Sequence, residues 1–347
     1  MQLLNTLYLT TPETYARLEN DTLAIEQQRE LKLRVPLHHL GSVVCFGPIQ
    51  LSAPLMHGLA QRGITLVLLD EHGRFQARLE GAINGNVLLR QAQHRLAADA
   101  ALGIARRCVA GKLRNTRALH LRAAREARQT EDAEALTRSA QQLAASLRAL
   151  PNCGDLDSLR GVEGEAARTH FKHFAHLLRE DARETFGMHD GRSRRPPRDR
   201  INVLLSFLYS LWMNDCRSTL ESVGLDPQVG VLHALRPSRA ALALDLLEEF
   251  RPLADRLALT LINRQQLRSG DFIIREGGAV SLHPDARKAV LVAFQERKQE
   301  ALRHPLLAEP VALGLLPFVQ ARLLARSLRG EADADGRRAE YLPFLIR

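Results

Sequence analysis

The periodicity of apolar residues changes once along this chain, near residue 85, and no other feature constrains the fold as strongly. Before that point apolar residues come in short alternations, most clearly Leu31, Leu33 and Val35 separated by Lys32 and Arg34. A period of two puts alternate side chains on opposite faces, so this stretch reads as a half-buried strand. Leu7 to Leu9, Tyr15 to Leu18 and Leu23 to Ile25 read the same way, with a turn at Asn20-Asp21. The apolar runs 43–46 and 64–69 fit buried strands, with a short helix over 51–61 between them. Asp70-Glu71-His72-Gly73 looks superficially like a metal cluster, but polar residues ending in Gly between two apolar runs are hairpin chemistry.

After Gly81, Asn84, Gly85 and Asn86 the chain is rich in Ala, Leu, Arg, Glu and Gln at helical spacing. The expectation is therefore an α+β protein. A β-rich amino-terminal domain spans residues 1–85, and a larger all-α domain spans 86–347.

Charge narrows the partners. The 347 residues carry 48 Lys and Arg against 39 Asp and Glu, a net charge of +9 that favours an anionic polymer or surface. Aromatic residues are only 5% of the chain, too few for several base-stacking platforms, so the handle on a nucleic acid would be its backbone. The longest apolar run, 204–213, is interrupted by Ser206 and Ser210 and falls short of the ~20 residues of a membrane span. The opening MQLLNTLYLTTPE has no export signature, which makes the cytoplasm the expected location. Cys45, Cys108, Cys153 and Cys216 are too dispersed for a zinc ribbon or a redox pair and are expected to be buried or incidental thiols. Neither GxGxxG nor GxxxxGK[ST] occurs.

Two basic segments are candidate phosphate contacts. The stretch 88–150 carries Arg106, Arg107, Lys112, Arg114, Arg117, Arg122, Arg125 and Arg128 with little acid before Glu126, although such a run also suits a solvated helical face. The loop GMHDGRSRRPPRDR at 187–200 offers Arg192, Arg194, Arg195 and Arg198; His189-Asp190 within it lacks supporting ligands at metal spacing.

Three places could hold chemistry: GVEGE at 161–165, His233 after the turn-rich 224–230, and Asp245 with Glu248 and Glu249. A helix would stack Asp245 and Glu248 on one face, and two close anions repel unless a cation lies between them. An amphipathic helix with solvated carboxylates accounts for the same pattern, Glu163 could be a first-turn carboxylate favoured by the helix dipole, and a lone histidine before a helix starting near Pro237 is an ordinary core residue. A carboxylate from each of two helices plus one imidazole would instead make a mixed oxygen and nitrogen site suited to Mn²⁺ or Mg²⁺.

The order of these strings carries a resemblance. GVEG followed by Ala166-Ala167, GRSRRPPR at 191–198, Asn202 with LLSFLYSLW, GLDPQVGVLH ending at His233 and ALALDLLEEFRP at 241–252 resemble the universal CRISPR-associated spacer integrase family, and the similarity continues through Ser269 to Phe272, Gly278 to Val280, Arg287-Lys288 and His304-Pro305. The opening segment and the GRSRRPPRDR loop look most like subtype I-C. The resemblance implies a homodimer formed through the amino-terminal domain and a helical catalytic domain binding Mn²⁺ or Mg²⁺. Its metal ligands would be Glu163, His233 and Glu248, with Asp245 a further catalytic acid that could recruit a second ion. It also implies two such dimers bridged by a dimer of the small ferredoxin-like adaptation partner, holding captured double-stranded DNA. His170 stands where the family pattern has tyrosine, and Arg200 where it has proline.

The implied reaction is transesterification, in which a 3′-hydroxyl of captured DNA attacks a phosphodiester of the CRISPR repeat. A structure-specific metal-dependent endonuclease acting on branched DNA is the alternative with the same residues, and a non-enzymatic DNA-binding module is the alternative that gives them no role.

Overall fold

The structure, a computed structural model, describes residues 6–70, 75–81, 87–188, 191–193, 196–304, 306–307, 309–332, 336 and 339–346. Contacts divide the chain into two compact units, residues 1–84 and 85–347.

The first unit runs β1 (Thr6–Leu9), β2 (Thr14–Glu19), β3 (Thr22–Gln27), β4 (Glu30–Pro36), β5 (Ser42–Phe46), β6 (Gln50–Leu51), α1 (Ala53–Gln61), β7 (Thr65–Leu69) and β8 (Phe75–Leu79). One sheet has the order β1-β5-β7-β8, with β1, β5 and β7 parallel and β8 antiparallel. β7 and β8 pair antiparallel, as a hairpin requires; residues 71–74 between them, with Glu71, His72 and Gly73, lie outside the described residues. The other sheet is the antiparallel meander β2-β3-β4 with β6 added parallel to β2. Asn20 and Asp21 both have positive φ, the requirement of a tight two-residue hairpin turn. Both sheets and α1 share one core, including Leu9, Ala16, Leu23, Val43, Leu55 and Leu66.

The alternation in β4 does not bury its leucines. Leu31 and Leu33 are 44% and 49% exposed on the edge strand β4, although Leu33 is registered with buried Ile25 and only Val35, opposite Leu23, packs against the core.

The second unit is predominantly helical: α2 (Val87–His94), α3 (Ala98–Glu126), α4 (Thr130–Ala149), α5 (Leu156–Lys172), α6 (Glu180–Phe186), α7 (Arg200–Val223), α8 (Ala241–Leu247) and α9 (Arg251–Asn263). A short antiparallel ribbon, β9 (Phe272–Ile274) and β10 (Val280–Leu282), leads to α10 (Pro284–Gln299), and a second, β11 (Ala301–Arg303) and β12 (Pro310–Ala312), leads to α11 (Leu316–Arg329). The apolar run 204–213 lies within α7, which is buried nearly all round and ends at Gly224 in the left-handed conformation. No described helix is long and apolar enough to cross a membrane. All four cysteines are buried and free, and burial alone pushes the Cys45 thiol up to about 12.

Candidate metal and phosphate site

Helix α5 begins with Asp155, whose carboxylate caps the Ser158 amide at 2.7 Å while the Ser158 hydroxyl accepts from the Asp155 amide. Leu159 and Ala166 pack with Ala105, Val109 and Leu113 of α3 in one core cluster. Glu163 lies four residues after Leu159 and three before Ala166, so helical geometry turns it to the same side. It is therefore a mid-helix residue, not a first-turn carboxylate.

The loop before α8 is bolted down by Asp245. Its Oδ2 accepts from the amides of Val231 and Leu232 at 2.6 and 3.0 Å, and its Oδ1 accepts from the His233 amide at 2.9 Å and from Nδ1 at 2.6 Å. Gly230 permits this approach, since a Cβ there would stand 2.7 Å from both Asp245 Oδ2 and Ala241 Cβ. On the other side, Arg160 of α5 donates to the Leu232 carbonyl at 2.9 and 2.6 Å. The Nδ1 bond to Asp245 fixes the ring so that Nε2 points into the site, 3.9 Å from Glu248 Oε1.

Asp245 is 1% exposed and both its oxygens are engaged by the 231–233 loop, so in this structure it orients His233. Glu248 lies on the same side as Asp245, as their spacing predicts: it caps α8 in helical conformation, and both carboxylates approach the His233 ring, although α8 starts at Ala241 rather than near Pro237.

Glu248 is 3% exposed and faces two cations: Arg251 Nε lies 2.8 Å from Oε1, and Lys112 Nζ lies 2.6 Å from Oε2. Lys112 also pairs with Glu163. Burial works to raise the Glu248 pKa, but Arg251, Lys112 and His233 overcome it and hold the carboxyl well below its ordinary range. Burial opposes the Lys112 charge too; Glu248 and Glu163 overcome it and leave its pKa raised.

Lys112 is thus not the exposed phosphate contact expected from its basic helix. Its ammonium bridges two carboxylates brought from α5 and from the turn after α8. That position explains why, among the described residues, no three of His, Cys, Asp and Glu stand together at metal-ligand distances. The donor set nevertheless fits a hard divalent cation: two carboxylates already converge on one positive charge, and the imidazole beside them is oriented by a third carboxylate, Asp245.

These groups line a cavity of about 460 Å³ with Arg160, Arg236 and Arg239 also on its wall. His170 forms part of the wall and is buried in a polar chain. Its Nδ1 meets His120 Nε2 at 2.8 Å, its Nε2 meets Asp255 Oδ2 at 3.2 Å, and Asp255 accepts the Tyr209 hydroxyl proton. The Arg251 guanidinium lies 4.7 Å over the Tyr209 ring.

The other expected phosphate contacts divide. Arg114 and Arg198 are exposed. Arg192 is committed internally, donating to Asn202 Oδ1 at 2.8 Å and Ser206 Oγ at 3.0 Å, so it ties its loop to α7. Arg194, Arg195 and the His189-Asp190 pair lie outside the described residues. Arg200 occupies the first position of α7, where proline is favoured, and donates to the Thr185 carbonyl at 3.2 Å. Sequence reading missed Arg160, Arg236, Arg239, Arg251, Tyr209 and Asp255; only Arg251, three residues after Glu248, had a spacing signal.

A family model for CRISPR associated protein Cas1 matches residues 7–296. The chain belongs to the Cas1 family. It is 53% identical to the CRISPR-associated endonuclease Cas1 1 of Moorella thermoacetica over 99% of both chains. Its fold is shared with a casposase bound to an integration product, at a TM-score of 0.80 and 21% identity over 97% of this chain and 94% of that one. A chain of a Cas6-RT-Cas1–Cas2 complex also shares it, at a TM-score of 0.79 and 23% identity, covering 99% of this Cas1 chain and 37% of the larger one.

Proposed function

We propose that this Cas1 chain is a DNA integrase of CRISPR adaptation that joins 3′-hydroxyl ends of captured duplex DNA to the CRISPR repeat. The observation that carries the reading is the convergence of Glu163 and Glu248, from separate elements, on one cation beside the oriented Nε2 of His233. Family membership supports it, as does the sharing of this fold with a casposase seen with an integration product.

Glu163, His233 and Glu248 would hold Mn²⁺ or Mg²⁺, which when bound supplies Lewis-acid polarisation of a phosphate oxygen. The Lys112 ammonium, which these carboxylates now share, would then be available to a phosphate. Arg236 and Arg239 on the cavity wall bind DNA phosphates, while Arg251 stays with Glu248 and keeps it anionic. The attacking 3′-oxygen forms the new P–O bond, the repeat P–O3′ bond breaks, and the released 3′-oxygen takes up a proton while the attacking hydroxyl gives one up. No side-chain nucleophile is required.

The exposed Leu31 and Leu33 support a homodimer through the amino-terminal domain. A dimer of the small adaptation partner, of the kind named in the Cas1–Cas2 complex, would bridge two such dimers on the DNA.

The test is strand transfer of a labelled short duplex into a supercoiled plasmid carrying a leader and repeat, with the partner present, in Mn²⁺ or EDTA, for wild type and Glu163→Ala. A longer joined strand that requires metal, the 3′-hydroxyl and Glu163 is the expected product. The name endonuclease carried by the relatives favours a second reading, a structure-specific nuclease on branched DNA with water as nucleophile. Only shortened strands in the same assay would establish that reading instead.

A further inference from the structure

Glu248 is presented by a turn, not by a helix. Between α8 and α9 the amides of Glu248 and Glu249 reach back only three residues, to Asp245 and Leu246 at 3.3 and 3.4 Å. With the Phe250 amide on the Leu247 carbonyl at 2.9 Å, the turn keeps the tighter three-residue pattern rather than full α-helical bonding, and side-chain contacts add to it.

Those contacts come from the last residues of the chain. Residues 339–346 have no helix or strand, yet Tyr341 and Phe344 are buried. Glu249, 0% exposed, accepts from the Tyr341 hydroxyl through Oε1 and, through Oε2, from the Phe344 amide at 2.7 Å and Gln320 Nε2 at 2.9 Å. Asn115 closes the arrangement from α3. Its Nδ2 donates to the carbonyls of Glu249 and Phe344, both at 3.0 Å, and its Oδ1 accepts from the Ile346 amide at 2.8 Å. The Phe344 ring stacks on Phe250 at 5.9 Å, and Phe250 stacks on Trp212 at 5.4 Å. Gly111 leaves the room, since a Cβ there would stand 2.8 Å from Pro343 and 3.1 Å from Glu249.

We propose that residues 341–346 are a clasp that sets the position of Glu248, with Glu249 as the positioning residue, so that metal binding and tail docking strengthen one another. The proposal rests on the reading of Glu163, His233 and Glu248 as metal ligands. Glu248 and Glu249 are adjacent, so a turn tilted by loss of the tail moves the ligand carboxylate away from Glu163 and His233. Coupling between two binding events is reciprocal, which makes the effect measurable from either end.

The experiment measures Mn²⁺ binding to the full chain by calorimetry, with emission of Trp212, the single tryptophan, reporting on the turn. Wild type is compared with the double variant Tyr341→Phe, Phe344→Leu and with Glu163→Gln. The double variant is expected to bind Mn²⁺ about tenfold more weakly, the scale of losing a group that orients a ligand, and to shift Trp212 emission. Mn²⁺ is expected to slow carboxypeptidase removal of the wild-type tail and to have no such effect on Glu163→Gln. Wild-type Mn²⁺ affinity in a folded double variant overturns the clasp while leaving the ligand reading intact. Unchanged Mn²⁺ binding in Glu163→Gln overturns the ligand reading and the clasp with it. Should the double variant fail to fold, Tyr341→Phe alone decides by the same measurements, with a severalfold loss expected and wild-type affinity overturning the proposal.

Discussion

Glu248 and Glu249 occupy the same turn at nearly the same depth, and their surroundings drive them to opposite ionisation. Glu248 looks into the cavity, where Arg251 and Lys112 keep it charged against the cost of burial. Glu249 looks into the tail, where its partners Tyr341, Phe344 and Gln320 are all neutral, and burial pushes its carboxyl up to about 8. Burial is common to both, so the formal charge of the neighbours decides the outcome. One side of the turn is electrostatic machinery, and the other is a hydrogen-bonded support.

The contrast can be broken most forcefully on the cavity side. Glu248→Gln leaves Lys112 and Arg251 buried without their shared anion, and should cost about 3–5 kcal/mol in urea denaturation while abolishing metal-dependent strand joining. Intact joining would remove Glu248 from the site.

The tail side should answer to pH with a definite sign. Because the folded-state pKa of Glu249 lies above the ordinary value of 4.5, its contribution is fully present below that value and is lost as pH rises through about 8. Between pH 6 and 8 this group should therefore lower wild-type stability by up to about 1.4 kcal/mol per pH unit relative to Glu249→Gln, where its slope disappears. Glu248 has the opposite sign, since its contribution is present at neutral pH and lost on acidification. Parallel pH profiles for wild type and Glu249→Gln would refute the distinction.

Asp245→Asn tests how the third ligand is held. The new amide would face the three backbone donors of 231–233, and the loss should be about 2 kcal/mol in thermal or chemical denaturation, with weakened Mn²⁺ binding through a misplaced His233. The smallest effects belong to the exposed arginines. Arg114→Ala and Arg198→Ala should leave stability within about 0.5 kcal/mol. Each that contacts a phosphate should lower the slope of log affinity against log salt by about 0.9 in a DNA titration.

The sequence carried the elements well and the partnerships poorly. Alternation located β2, β3 and β4, and the texture change lay beside the division between units, because both are local consequences of period and composition. The convergence of Glu163, His233 and Glu248 was reached through ordered family strings, with no local periodicity to announce it. The burial of Lys112 was not legible for a physical reason: a cation on a basic helix looks like surface until α5 and the 248–250 turn are placed against it. Arg192 was misread similarly, since its partners Asn202 and Ser206 are neutral and give no charge pattern. The i, i+3 spacing of Asp245 and Glu248 did signal their common approach to His233, but not that Asp245 would be taken up by the amides of 231–233.

The burial of every native thiol has a practical consequence for following this molecule at work. Cys45, Cys108, Cys153 and Cys216 lie beneath the surface, and burial raises the Cys45, Cys108 and Cys216 thiols above their ordinary range, which leaves little thiolate for alkylation. A single cysteine engineered at Arg114 or Arg198 should therefore take a fluorophore or spin label selectively in the folded protein, with all four natural cysteines left in place. Distances from such a label to labelled DNA would map the path of the duplex without a cysteine-free background that risks the packing around Trp212 and Glu249.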